Sequence, residues 1–256
     1  MTSTIQLFPE LVAHRGNAHE FPENTLPSLR SALELGARYI EFDVHMSADR
    51  VPVVMHDANL KRCAGIDRDA LEMTWSELGM INVGEAERFS DRYTDICIPS
   101  LIQVVELLSG FPQATAFVEL KRASINKYGQ DVFISRVCEI LKPVAAQVVI
   151  ISFDLPAIHH VQRNSNYRVG WVLPEYNSLA SLKAEATVPQ FLFCDHEKLP
   201  ADGSRLWRGP WQWAIYEVTS IELATQLFER GAPLIETMEI RSMLRQLRNL
   251  KQRSAV

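Results

Sequence analysis

The chain has 256 residues, 47% of them hydrophobic and 22% charged, with a formal net charge of -5. That length and balance fit a globular protein with a sizeable core. The mild acidity excludes the basic footprint of a nucleic-acid binder and a polybasic, stable membrane anchor.

No apolar run approaches the ~20 residues of a membrane-spanning helix. Met1–Glu10 has neither the basic stretch nor the apolar run of a leader. Cys63, Cys97, Cys138 and Cys194 form no close pair, which favours free thiols in a reducing compartment over a disulfide framework. The expectation is a soluble, cytoplasmic protein.

In chain order, the first strand is predicted at Leu11–His14. A helix follows, with Asn24 as its cap, Leu26, Leu29 and Leu33 on one face and Gly36 at its end. Pro27 is tolerated in its first turn, where N–H groups lack partners anyway. The second strand is Tyr39–Val44, and a short apolar run, Val51–Met55, comes after it. From Asp57 to Ile98 the sequence turns polar, with only brief helical hints such as Thr74–Leu78. This stretch reads as an insertion on the main body.

Further strands are predicted at Ala116–Leu120, Val148–Ser152, Arg168–Val172, Gln190–Cys194, Gln212–Tyr216 and Pro233–Glu236, with helices between them. A last helix starts near Glu239, with Ile240, Leu244 and Leu247 as its buried stripe. Its Arg241, Arg245, Arg248 and Lys251 read as a solvated face. Eight strand–helix units on this length predict an α/β fold, a TIM-like (β/α)8 barrel with a small insertion after the second βα region. Residues 1–256 read as a single catalytic barrel domain, with 57–98 inserted into it.

The chemistry starts at Tyr39–His45, Y-I-E-F-D-V-H. Alternation on a strand puts Glu41 and Asp43 on one face. Two buried carboxylates need a compensating charge. A hard divalent cation supplies it, and so would an Arg or Lys partner. In F-V-E-L-K-R, Glu119 and Lys121 again share a face. Glu119 can complete a three-carboxylate cation site with Glu41 and Asp43, and Lys121 can hold a phosphate oxygen. An internal Glu–Lys pair is the plainer alternative.

His14 and His56 both stand at strand ends, where barrel active sites are assembled. Two imidazoles suit a general base and a general acid. Arg15 offers bidentate contacts to phosphate. Together these groups suit phosphodiester hydrolysis.

At these residues the chain resembles the glycerophosphodiester phosphodiesterase family. H-R-G at His14–Gly16, P-E-N-T at Pro22–Thr25, E-F-D-V at Glu41–Val44 and V-P-V-V-M-H-D at Val51–Asp57 follow that family's pattern in order and spacing. L-K-R at Leu60–Arg62, I-P-S-L at Ile98–Leu101 and V-E-L-K at Val118–Lys121 continue it. The resemblance implies a TIM-like barrel and one divalent cation, Mg2+ or Ca2+, held by Glu41, Asp43 and Glu119. It implies His14 and His56 as the acid–base pair, with Arg15 and Lys121 on the phosphate. Deacylated phospholipids such as glycerophosphocholine are the implied substrates. Glycerol 3-phosphate and an alcohol are the implied products.

The second half departs from the pattern. The family's W-T-V-N reads W-A-I-Y here, keeping Trp213 but placing Tyr216 where a small amide is usual. The family's T-D-x-P becomes T-M-E-I at Thr237–Ile240, with Glu236 just before it. Trp213 is expected to pack on the glycerol carbons and Phe153 to wall the pocket. Glu23, His45 and Asp57 are expected behind the directly contacting groups, with Asp57 either orienting His56 or shaping a turn. These departures keep open two other functions: a lysolipid phospholipase D-type enzyme, and a silent phosphodiester-binding member.

Overall fold

A computed structural model describes residues 7–253; residues 1–6, part of the segment inspected for a leader, and 254–256 lie outside the described residues. Nine strands form one sheet: β1 (Glu10–Ala13), β2 (Tyr39–Met46), β3 (Pro52–Val54), β4 (Thr115–Leu120), β5 (Val148–Ser152), β6 (Arg168–Val172), β7 (Phe191–Asp195), β8 (Gln212–Tyr216) and β9 (Leu234–Thr237). All but β3 run parallel, each beside its neighbour, and β1 pairs with both β2 and β9. The sheet therefore closes on itself as the predicted TIM-type barrel. The short run after the second strand is β3, which pairs antiparallel with β2 beyond the barrel, Val44 opposite Val54.

Side-chain parity sorts the sheet into two cores. Phe42, Val44, Val118, Ile150 and Ile215 face outward against the helices. Val12, Phe117, Val149, Ile151, Phe191, Phe193 and Leu234 fill the interior. The interior plug is aromatic: Phe117 meets Phe191 and Phe193 edge-on at 5.1 and 5.0 Å and stacks on Tyr39 at 6.0 Å. Edge-to-face rings pack well because the positive ring edge meets the negative face. The plug closes the floor, so charged side chains nearer the strands' C-terminal ends stand above a dry layer.

Two sequence expectations need correction here. The first helix is Leu26–Glu34, and its cap is Thr25, whose hydroxyl accepts from Ser28 N. Asn24 sits one residue earlier with φ 57° and has another task, described below. In the last helix, Ile240–Arg253, the buried stripe is Ile240, Met243 and Leu247, with Leu244 only half-buried.

The stretch after β3 carries short helices, Lys61–Ala64, Trp75–Leu78 and Ala86–Phe89. It has its own apolar cluster of Leu60, Met73, Leu78, Val83 and Ile98 on Val53 and Met55. It docks on the loop after β1: Tyr93 Oη donates to Glu20 O at 2.6 Å, and Glu23 N donates to Glu85 Oε1 at 2.7 Å.

Candidate active site

The parity that buries Phe42 and Val44 against the helices turns Glu41, Asp43 and His45 into the barrel. On the adjacent β4, Asp43 stands beside Glu119 in register, and Lys121 follows just past the strand end. His14 and Arg15 lie just beyond β1, where the chain turns sharply. Arg15 has φ 54° and Gly16 φ 85°. A Cβ on Gly16 would lie 2.5 Å from Ser28 Oγ, so only glycine lets this turn press on the helix start. The turn aims the Arg15 N–H at Glu41 Oε2, 3.1 Å away.

A cleft at the strands' C-terminal ends is lined by His14, Arg15, Glu41, His56, Glu119 and Glu236, among others. Its apolar wall is Ile151, Phe153, Val172 and Phe193, with Tyr216 and Glu217 at one side. Arg122 holds Phe153 in place, stacking over its ring at 5.6 Å and donating to its carbonyl at 2.7 Å.

The carboxylates are unequally supported. Asp43 Oδ2 accepts from Asn24 Nδ2 at 2.8 Å, and Asp43 N donates to Asn24 Oδ1 at 3.1 Å. Lys121 Nζ lies 3.2 Å from Asp43 and 3.0 Å from Glu119, and Arg15 Nε 3.4 Å from Asp43. Burial would raise the Asp43 pKa, but Lys121 and Arg15 hold it well below the usual range. Glu119 goes the other way: burial and the Asp43 charge push it to about 7. Burial and three neighbouring carboxylates, Asp43, Glu236 and Glu119, raise Glu41 strongly.

Glu41, Asp43 and Glu119 each bring a carboxylate oxygen within 4.8 Å of the others. Glu41 Oε1 is buried without a hydrogen-bond partner. These three carboxyl groups meet two cations, Arg15 and Lys121, and Arg15 is also shared with Glu23. An oxygen-only donor set short of positive charge fits one hard divalent cation.

The histidines are held differently. His56 Nδ1 lies 2.6 Å from Asp57 Oδ1, and Asp57 Oδ2 accepts from Arg62 Nε at 2.6 Å. A carboxylate on Nδ1 fixes the proton there and leaves Nε2 as the basic atom. His45 joins Ser124 Oγ at 2.9 Å and the His56 carbonyl at 3.1 Å, so it braces the His56 backbone from below. His14 Nε2 lies 3.9 Å from Glu41 and 4.0 Å from Glu236, and its Nδ1 lies 3.7 Å from Glu217. Burial lowers the pKa of both His14 and His56.

Glu23 is 6% exposed. It accepts from Arg15 Nη1 at 3.0 Å and from Arg62 Nη2 at 2.6 Å, clamping the two guanidiniums.

One expected contact fails. Trp213 shares its parity with Ile215 and faces the helices, where Tyr176 and Trp207 surround it and its Nε1 donates to Trp207 O at 2.9 Å. Three residues on, the opposite parity turns Tyr216 toward the cleft. Trp213 therefore packs outside the barrel and is not among the residues lining the cleft. The same alternation, applied to Gln212–Tyr216 as a strand, would have separated the two. Arg62 was visible in the sequence only as part of L-K-R. Glu217, just past β8 with φ 61°, left no signal there at all.

Residues 14–199 match the family described as Glycerophosphoryl diester phosphodiesterase family. Glycerophosphodiester phosphodiesterase 1 of Homo sapiens is 33% identical over 94 residues, 37% of this chain and 28% of that protein. A glycerophosphodiester phosphodiesterase of Caldanaerobacter subterraneus is 34% identical over 98 residues, 38% and 40% of the two chains. A lysophospholipase D of Rattus norvegicus is 32% identical over 135 residues, 51% and 40%. The matched stretches thus span less than half the length of these relatives. Among solved structures, an Oleispira antarctica phosphodiesterase in complex with sn-glycerol-3-phosphate superposes with TM-score 0.81 at 22% identity, covering 93% of this chain and 96% of that one. A glycerophosphodiester phosphodiesterase of Thermotoga maritima gives 0.71 at 22%, covering 94% and 99%.

Proposed function

The chain belongs to the glycerophosphoryl diester phosphodiesterase family, and from that premise we propose that it hydrolyses glycerophosphodiesters to glycerol 3-phosphate and an alcohol. One observation carries this reading: two imidazoles face the same cleft as a three-carboxylate cluster with an unpartnered oxygen. Glu41, Asp43 and Glu119 would hold one Mg2+ or Ca2+. The cation neutralises charge on the phosphoryl oxygens when bound.

The chain's own groups do the rest. Arg15 and Lys121 draw the phosphate toward the carboxylate end of the cleft. Of His14 and His56, one as neutral imidazole takes the proton of the attacking group, and the other as imidazolium delivers a proton to the leaving alkoxide. Asp57, with Arg62 behind it, keeps the His56 Nε2 free for this, and Glu23 keeps Arg15 and Arg62 from drifting apart. His45 supports His56 from beneath. Phe153 offers an apolar wall to substrate carbon. Asn24 holds Asp43 in place. Four cysteines are free thiols, which supports a reducing, cytoplasmic setting. Among the described residues no helix is long and apolar enough to cross a membrane.

The test is glycerol 3-phosphate release from glycerophosphocholine and glycerophosphoethanolamine with Mg2+ or Ca2+, then with EDTA. Release that EDTA abolishes supports the reading. Without release under any of these ions the reading fails, and turnover of lysolipids would separate the phospholipase D-type alternative from a silent binder.

A further inference from the structure

The support given to the buried carboxylates stops short of Glu236. Asp43 has Asn24, Arg15 and Lys121, and Glu119 has Lys121. Among the described residues no Arg or Lys pairs with Glu236. Among these residues its one neighbour at ion-pair range is His14, at 4.0 Å. Yet Glu236 is 3% exposed, Glu41 2% and His14 8%. Glu236 Oε1, which faces His14 Nε2, and Glu41 Oε1 are both buried without a hydrogen-bond partner. A buried carboxylate in that state calls for a ligand.

We propose that His14, Glu41 and Glu236 form a second cation position, one that takes Zn2+ and disables the cleft when filled. Each contributes a donor atom within 4.8 Å of the others, from the end of β1, from β2 and from β9. One imidazole nitrogen and two carboxylate oxygens form a donor set for a borderline ion, whereas the triad of Glu41, Asp43 and Glu119 is oxygen only. Donors around a tetrahedral Zn2+ lie about 3.3 Å apart, given bonds of about 2.0–2.1 Å. The separations of 3.9 and 4.0 Å therefore close by small side-chain rotations. The cleft gives access, since it is lined by all three residues.

The two positions share Glu41, and the second also uses the His14 nitrogen. A Zn2+ there removes His14 from proton transfer and draws Glu41 from the first cation. The predicted inhibition rests on the hydrolytic reading above; the binding itself does not.

The experiment uses the full chain freed of metal. Calorimetric titration with Zn2+ and, separately, with Mg2+ compares the native protein with Glu236→Gln, whose fold is checked by circular dichroism. X-ray absorption at the zinc edge reads the ligands. The expected result is at least a tenfold loss of affinity at the tightest Zn2+ site in Glu236→Gln, with Mg2+ affinity within twofold of native. The native zinc spectrum should show one imidazole among oxygen ligands. Unchanged Zn2+ affinity in the variant, or a zinc spectrum without imidazole, overturns the proposal. So does an equal loss of both ions, which would make Glu236 part of a single site. Failure of the hydrolytic reading shows instead as absent product with Mg2+, and leaves these binding results standing.

Discussion

His56 has one ring nitrogen tied to Asp57 and the other left for chemistry, and burial lowers its pKa. General acid–base groups contribute about 10²–10⁴-fold. His56→Ala should therefore lower kcat by at least about 100-fold while circular dichroism stays native. Near-native turnover in that variant would remove His56 from the proposed role. Trp213 and Tyr216 give a second comparison. Trp213→Phe should leave KM within twofold and cost about 1 kcal/mol of stability through the lost bond to Trp207 O. Tyr216→Ala, by contrast, should change KM several-fold, because its ring faces the cleft. Steady-state kinetics and urea unfolding of both variants decide this. The reverse pattern would put Trp213 back at the substrate.

Among the elements, the loop after β1 and the segment after β3 depend on each other through Glu23. Its carboxylate is buried between Arg15 and Arg62, and its backbone N–H is bound by Glu85. Burial would raise its pKa, but the Arg62 hydrogen bonds and the Arg15 charge hold it below the ordinary value of 4.5. A carboxylate with a depressed native pKa stabilises the fold above the unfolded value, and that contribution is lost as pH falls through the native one. Glu23→Gln should cost roughly 3 kcal/mol near neutrality, since it strands buried guanidinium charge. The gap to the native protein should shrink as pH drops below 4.5, where native Glu23 also becomes neutral. Unfolding curves at several pH values check this. A gap independent of pH would show that the charge is not what matters. At this scale the strands were legible: Val148–Ser152, Arg168–Val172 and Gln212–Tyr216 fall where the apolar runs placed them. The helix cap was not, because Asn24 and Thr25 are both good caps and only the contact with Asp43 separates them.

Across the whole molecule, barrel closure crowds Glu41, Asp43 and Glu119 into one mouth with too little positive charge. A cation that binds the folded state and not the unfolded one stabilises by about 2.7 kcal/mol at 100 times its Kd. Saturating Mg2+ or Ca2+ should raise Tm by several degrees, given about 2–4 °C per kcal/mol at this chain length. EDTA should return it. A Tm indifferent to both ions would mean that the carboxylates hold no cation.

The sequence by itself determined the barrel and most of the cleft. Alternation along Y-I-E-F-D-V-H and F-V-E-L-K forces Glu41, Asp43 and Glu119 inward once the apolar faces are buried, and strand ends bring His14 and His56 to the same rim. What depended on contacts between distant segments was not readable there. Asn24 meets Asp43, Arg62 meets Glu23, and Glu236 meets His14 only because β1 pairs with β9 and the segment after β3 folds back on the loop after β1. Tertiary structure alone decided those pairs. The alternation of a strand states which face a side chain takes, but not which side chain from another strand will stand across from it.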